Sequence, residues 1–326
     1  MSHKKMIEED TFIISNSDAT EFIKSIDDNM VQCVICDPPF GIHEDTFDKH
    51  YARDSTNIVK GYNTAPSNNE LYQKWVEQWL HEIPRILKPN GTIYIVCAWN
   101  HVCDVELAIR SADLKIHNHI IWKYNFGVYT EKKFVSSHYH ILRCSKNNKI
   151  PPLFNSNAFF NETDKSPEGH SLRYTDMEDV WIIKKDYRPN EKKNVNKLPD
   201  ALVKKMILYS TNAGDWVADF FLGNFTTAYN ALKEGRKFIG CEINTEIFKE
   251  HMENIKNITV DVTAPKVSSK PKNAGKKLST ENVNEICTKF DALFLTHNKK
   301  ESISILQKEY ERGYFSILNV LKANNR

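Results

Sequence analysis

The chain has 326 residues, with 44 Lys and Arg against 42 Asp and Glu for a formal charge of +2, and 40% of its residues are apolar. That composition suits a soluble globular protein with a sizeable core, and the length allows one large domain with a smaller one, or two domains. A near-neutral chain is not a general polycation, so any nucleic-acid surface has to be local; no run of eighteen apolar residues offers a membrane span, and the stretch from Met1 to Asp10 lacks the apolar core of a signal peptide.

Taken in chain order, Thr11–Ser15 reads as a short strand ending at Asn16-Ser17-Asp18, followed by a helix over about Ala19 to Ile26. The apolar run Val31-Gln32-Cys33-Val34-Ile35-Cys36 reads as a buried strand, closed by Asp37-Pro38-Pro39-Phe40. Residues 41–69 are polar and without period, as in a lid or binding loop. Glu70 to Leu87 has Leu71, Trp75, Trp79, Ile83 and Leu87 at helical spacing, Pro89-Asn90-Gly91 a turn, and Thr92–Cys97 a strand. A helix near 101–112, a strand near 116–123 and a strand from Val135 to Cys144 follow.

Residues 145–178 then lose regular pattern and carry His170, Arg173 and Tyr174, either as a surface insertion or, over 145–180, as a substrate-reading segment; regular structure returns at Val180-Trp181-Ile182-Ile183. Pro199 to Thr211 is a helix with proline near its start; Trp216–Phe221 a strand; Phe225–Glu234 a helix stopped by Gly235; Lys237–Ile243 a strand. Strands alternating with helices predict an α/β fold with a mostly parallel sheet. Residues 262–278 hold five lysines and no acid, as in a basic linker, and two helical patterns beyond it predict a small helical hairpin. The expected division is a catalytic domain over 1–258, a linker over 259–278 and a helical segment over 279–326.

Seven cysteines at irregular spacing fit reduced thiols in a cytosol. Cys33-x-x-Cys36 has a zinc-like spacing but no second pair, and in a strand its thiols face opposite ways. His138-x-His140 is likewise read as part of a strand, so no metal site is expected.

Two segments carry chemistry. After Asp37, two prolines end the strand ladder and stiffen the backbone, since proline has no N–H and a fixed φ. An acid and free carbonyls before an aromatic ring match a planar nucleobase with an exocyclic amino group, which needs acceptors for its N–H donors and a ring to stack on. Asp219-Phe220-Phe221-Leu222-Gly223-Asn224-Phe225-Thr226-Thr227 lies between a strand and a helix, where a doubly wound sheet binds nucleotide-like ligands. Gly223 lets backbone approach a ligand, and the helix start offers free N–H groups. Glu242, about twenty residues on, has the spacing of an acid that takes ribose hydroxyls. There is no Gly-x-Gly-x-x-Gly and no Gly-Lys-Ser/Thr, which disfavours NAD and ATP.

Asp37-Pro38-Pro39-Phe40 resembles the catalytic motif of the DNA amino-methyltransferases, the N6-adenine and N4-cytosine enzymes. The segment Asp215 to Ile243 resembles their S-adenosylmethionine motif, whose pattern is Asp-Pro-Phe-x-Gly-Ser-Gly-Thr-Thr. The catalytic motif comes first and the cofactor motif about 180 residues later, the order of the permuted β group. Further matches are Asn16-Ser17-Asp18-Ala19, Arg85-x-Leu87-Lys88-Pro89-x-Gly91, Ile120-Ile121-Trp122-Lys123 and Lys197-x-Pro199; together they cover about 11–250.

The resemblance implies the circularly permuted Rossmann-like methyltransferase fold, a mostly parallel seven-stranded sheet with helices on both faces and a small C-terminal helical extension. It implies Asp37, Pro38, Pro39 and Phe40 as catalytic residues. For the cofactor it implies Asp18, Ala19, Asp37, Lys197, Pro199, Asp219, Phe220, Phe221, Gly223, Asn224, Phe225, Thr226, Thr227, Glu242 and Ile243. The chain departs from the family pattern at Phe220, Asn224 and Phe225, which stand for proline, serine and glycine. Leu198 takes the place of a lysine, with Lys197 one residue early. Phe225 then either closes over the cofactor or narrows its pocket.

The implied activity is methyl transfer from S-adenosylmethionine to N6 of a flipped adenine in double-stranded DNA, in the cytoplasm and on the nucleoid when bound, with room for a homodimer and a cognate restriction endonuclease. N4 of cytosine is the alternative within the fold, although an initial Asp leans to adenine. A catalytically weak DNA-binding partner subunit is the alternative of another class. No Pro-Cys motif supports C5-cytosine chemistry, and protein-amide enzymes more often carry Asn at the Asp37 position.

Overall fold

In the computed structural model, residues 5–41, 65–125, 127, 129, 131–132, 134–186, 197–258, 273 and 277–326 are described. The expected loop over 41–69 and the basic linker lie largely outside these residues. Two compact units form: Met1–Phe154 with Asp179–Ala264, and Asn155–Glu178 with Pro265–Arg326.

The elements run β1 (Lys5–Glu9), β2 (Phe12–Asn16), α1 (Ala19–Ile23), β3 (Val31–Cys36), α2 (Asn69–Leu80), α3 (Ile83–Ile86), β4 (Leu87–Cys97), α4 (Val102–Ser111), β5 (Leu114–Lys123) and β6 (His138–Lys146). In the second unit comes α5 (Leu172–Asp176); the first resumes with β7 (Val180–Ile182), α6 (Asp200–Ser210), β8 (Trp216–Asp219), α7 (Thr226–Lys233), β9 (Lys237–Cys241) and α8 (Thr245–Lys256). The second unit ends with α9 (Thr280–Phe294), α10 (Lys299–Glu309) and α11 (Tyr314–Ala323).

One sheet of nine strands orders them β1-β2-β9-β8-β3-β4-β6-β5-β7. Against the seven-stranded sheet expected, β1 is added at one edge, antiparallel to β2, and at the other the stretch from Val180, where regular structure is expected to return, pairs as the short β7, parallel to β5. From β2 through β9, β8 and β3 to β4 every pairing is parallel, and β6 turns antiparallel to β4 and β5. All six residues of β3 are buried. Its two faces feed different cores: Cys36 packs with α1, α2, α3 and α4, and Cys33 with α6, α7 and α8. The fold is therefore a three-layer α/β unit with a fully covered central strand.

The helix read over 70–87 is two helices. Pro84 sits at the start of α3 and breaks the run after Leu80. Its buried face is Tyr72, Val76, Trp79 and Leu80, while Leu71 is 55% exposed. Pro89-Asn90-Gly91 lies inside β4 rather than in a turn before it: Val31 pairs with Leu87 and Cys33 with Thr92, so β4 bulges through these residues. A bulge accommodates the proline, which has no N–H for the ladder.

In the second unit the expected hairpin is three helices. The second helical pattern is interrupted at Tyr310–Gly313, where Glu311 has φ +49° and Gly313 caps α11. Ile286, Phe290, Ile303, Leu306, Ile317 and Leu321 form its core. Arg173 is bonded to Asn157 at 2.7 Å and ion-paired with Glu162 at 3.6 Å within the same unit. No described helix is long and apolar enough to cross a membrane.

Arg85 ties the end of α1 and the turn before β3 to α3. Its guanidinium donates to the Ile26 and Ile23 carbonyls at 2.6 and 2.9 Å, and to Asp28 and Glu82 at 2.7 and 2.9 Å. These bonds satisfy carbonyls that α1 leaves open at its end. Arg85→Ala is expected to lower the unfolding free energy by about 2 kcal/mol, and Arg85→Lys to recover less than half of it, because an ammonium cannot fork. Urea midpoints at unchanged m-value check this.

Candidate active site

Strand order reverses between β3 and β8, which places a crevice at their C-terminal ends. Val34 pairs with Ala218, so the loops that follow, Asp37–Gly41 and Phe220–Phe225, leave the sheet side by side. One strand further, β9 ends before Glu242, and Asn16 at the end of β2 donates to the Glu242 and Ile243 carbonyls at 2.7 and 3.2 Å. Four loops from four neighbouring strands thus meet.

They enclose a cavity of about 400 Å³. Its walls include Asp18, Ala19, Asp37, Pro38, Pro39, Phe40, Lys197, Asp219, Phe220, Phe221, Gly223, Asn224, Thr226, Thr227, Glu242 and Ile243. Pro199 and Phe225 are not on the wall. Pro199 caps α6, while Lys197 reaches Asp200 at 3.6 Å. Phe225 is wholly buried and stacked on His251 at 5.1 Å, on the far side of its own backbone turn.

Each acid has a distinct setting. Asp18 caps α1, accepting from the Thr20 and Glu21 amides at 2.9 and 3.3 Å. Glu242 accepts the Gly223 amide at 2.8 Å and the Asn244 amide at 2.7 Å, tying the glycine loop to the end of β9; burial nevertheless pushes its carboxyl up. Asp219 accepts the Phe221 amide at 3.0 Å and the Thr227 hydroxyl at 2.6 Å. Burial raises it to about 7 against the pull of those bonds. Asp37 is raised further, to about 8, by burial first and then by the Asp219 charge, with Lys185 acting the other way.

Asp37 Oδ1 is buried and accepts no hydrogen bond from the described residues. Buried acceptors are nearly always satisfied, so an unmet one on a cavity wall marks where a donor belongs.

A second, smaller cavity of about 10 Å³ adjoins Asp37 and Phe40, walled by Val96, Trp122, Tyr139, Lys185 and Leu198. Phe40 lies 5.2 Å from Tyr139, and the Lys185 ammonium faces the rings of Trp122, Tyr124 and Tyr139 at 5.4–5.9 Å. Several wall residues of the larger cavity escaped the sequence: Ser17, Trp75, Leu198, Leu222, Asn244 and Ile247. Trp75, at helical spacing with Leu71 and Trp79, faces Phe221 5.7 Å away, while the buried face of α2 is Tyr72, Val76, Trp79 and Leu80.

A family model described as DNA methylase, covering the N6 and N4 enzymes, matches residues 31–253. The chain belongs to this DNA methylase family. It is 30% identical over 250 residues to the DNA adenine methyltransferase YhdJ of Escherichia coli K12, covering 72% of this chain and 80% of that one. Among solved structures, the cytosine-N4-specific PvuII DNA methyltransferase superposes with a TM-score of 0.57 at 13% identity, covering 84% of this chain and 90% of that one. The M1.HpyAVI–SAM complex gives 0.51 at 22%, covering 76% of this chain and all of that one. These two likenesses establish a shared fold.

In this DNA methylase Phe225 holds a left-handed conformation, φ +58°, that a bulky residue adopts at a cost. Burial of the ring among α6, α7 and α8 offsets that strain. Phe225→Gly relieves about 1 kcal/mol of strain and loses about 3–5 kcal/mol of packing. A net destabilisation of about 2–4 kcal/mol is expected in chemical denaturation.

Proposed function

We propose that this chain transfers a methyl group from S-adenosylmethionine to N6 of an adenine flipped out of DNA. The unmet acceptor Asp37 Oδ1, held on the cavity wall beside a proline pair, carries the reading. Sequence kinship to an adenine enzyme supports the choice of base.

The cavity fits the cofactor. It has acids at Asp18 and Glu242 for hydroxyl or amino groups, rings at Phe220, Phe221 and Trp75 for a heterocycle, and buried carboxyls for a cation. When bound, S-adenosylmethionine supplies an electrophilic methyl group on a sulfonium. Asp37 and the Pro38 carbonyl each accept one N–H of the adenine amino group, turning its lone pair out of conjugation and toward the methyl carbon. Their negative ends face the positive charge that develops on nitrogen as the methyl carbon's bond to sulfur gives way, which would leave a neutral thioether; the nitrogen then loses one N–H proton and is neutral again. The rigid prolines keep these acceptors in place without reorganisation, so proximity contributes much of the rate. Phe40 supplies a stacking surface, about 1–3 kcal/mol per base, against the few kcal/mol of unstacking.

Reading of the DNA sequence is assigned to segment 145–180, where Tyr174 is 68% exposed. A homodimer, a cognate restriction endonuclease and residence in the cytoplasm, on the nucleoid when bound, extend the proposal on the family resemblance alone.

Digesting DNA treated with the protein and S-adenosylmethionine to deoxynucleosides, and weighing them, is expected to show N6-methyl-2′-deoxyadenosine; N4-methyl-2′-deoxycytidine in its place rejects the adenine assignment. Asp37→Ala is expected to abolish transfer while leaving the melting temperature within a few degrees.

Protonation provides an independent check. With carboxyls raised to about 8 and about 7, Asp37 is mostly protonated and Asp219 about half protonated in the empty protein at pH 7. A bound sulfonium favours their charged forms, so cofactor binding releases protons at pH 7 and ceases to do so above pH 9. Calorimetry in buffers of different ionisation enthalpy reads this directly, and Asp37→Asn is expected to remove most of the dependence.

A further inference from the structure

The proposed chemistry depends on where Asp37, the Pro38 carbonyl and Phe40 point, and the prolines settle only part of that. Each ring locks φ near −65° and leaves ψ free. Neither proline has an N–H by which a neighbour could hold the loop, so the carbonyl oxygens are the available handles.

One handle is taken. The Tyr72 hydroxyl donates to the Pro39 carbonyl at 3.0 Å. Tyr72 belongs to α2 and is fully buried. On the other side of Phe40, Gly41 has φ +59° and packs so closely that a Cβ there would lie 2.8 Å from the Tyr72 ring. Tyr72 therefore grips the loop on both flanks of Phe40, by its hydroxyl at Pro39 and by its ring at Gly41.

The ring itself is held from behind. His101 stacks on it at 4.0 Å with planes 15° apart. His101 Nδ1 lies 2.6 Å from Asp104 Oδ2, which also accepts from the Asn69 amide at 2.8 Å. His101 and Asp104 are 1% and 7% exposed, so the brace runs entirely inside the protein, from α4 through α2 to the loop. A buried aspartate–histidine pair needs mutual satisfaction to be tolerated. Here it also fixes the plane of the ring that carries the hydroxyl.

We infer that Tyr72 is a positioning residue for methyl transfer: its hydroxyl sets the free torsion at Pro39, and with it the aim of Phe40 and of the acceptors before it, while His101 and Asp104 hold the ring in register. The inference rests on the proposed methyl transfer. It acts on orientation, and Tyr72 is not on the wall of the cofactor cavity.

Tyr72→Phe deletes one oxygen and keeps the ring, so the stack and the Gly41 contact survive. With the full chain, radiolabelled S-adenosylmethionine and unmethylated bacterial genomic DNA, single-turnover transfer is expected to slow about tenfold, the scale of one lost orienting hydrogen bond. Cofactor affinity by calorimetry is expected to stay within about twofold. His101→Ala should slow transfer less, and the double variant should be no slower than Tyr72→Phe, because both changes act through one hydroxyl. A Tyr72→Phe enzyme with wild-type single-turnover rate overturns the inference, as does a loss shared equally between cofactor binding and transfer, or additive losses in the double variant. Absence of any label on DNA with the wild-type chain rejects the methyl-transfer reading itself, and the positioning role with it.

Discussion

Parallel pairing of β3 with β8 is the constraint on which the site depends. It joins residues about 180 positions apart in the chain and sets Asp37 and Asp219 at the ends of adjacent strands. The chain leaves β3 toward β4 and leaves β8 toward β9, in opposite directions, so a crevice opens between their C-terminal ends. The neighbouring pairings of β9 with β8 and β2 then bring Glu242 and Asp18 to the same rim. A change in β3–β8 register by one residue would turn every side chain of β3 to the opposite face and dismantle both cores at once.

The second feature is the concentration of acid where water is scarce. Asp37, Asp219 and Glu242 all have raised carboxyls, with burial the leading cause in each. Raised carboxyls hold protons that the unfolded chain has already lost, so the empty fold loses stability as pH climbs from about 4 through 7 and 8. Asp219 and Glu242 recover part of this by holding loop amides. Asp37 Oδ1 has no hydrogen-bond partner among the described residues, and a ligand with a positive centre and N–H donors is what would satisfy it. The cavity is thus destabilised when empty in the way a site for a cationic cofactor and an amino group should be.

Much of this was legible in the residues. Strand β3, its proline stop, the glycine loop before α7 and the acid after β9 were each visible from local chemistry, and sixteen of the eighteen expected site residues lie on the cavity wall. Pro199 proved to be a helix cap. Phe225 shows why reading a side chain in place of glycine is difficult: the backbone keeps the left-handed turn, and the ring leaves the cavity for the core. Phase errors had a simple origin. Leu71, Trp75, Trp79 and Ile83 repeat every four residues, a spacing that drifts around a helix of 3.6 residues per turn. The buried stripe is instead Tyr72, Val76, Trp79 and Leu80, so Trp75 at the cavity and Tyr72 behind the Asp37–Gly41 loop both escaped. Strand β1 and the division of the last pattern into α10 and α11 depend on pairing and on the turn at Glu311–Gly313, which periodicity does not register.

The central claim is that two distant motifs form one cofactor cavity. Amide hydrogen exchange with and without S-adenosylmethionine tests it most directly. The account predicts protection appearing together, at one cofactor concentration dependence, in Phe40–Gly41, Phe221–Thr227 and Glu242–Asn244. Protection confined to the glycine loop, with the amides after Asp37-Pro38-Pro39 unchanged at saturating cofactor, would contradict it.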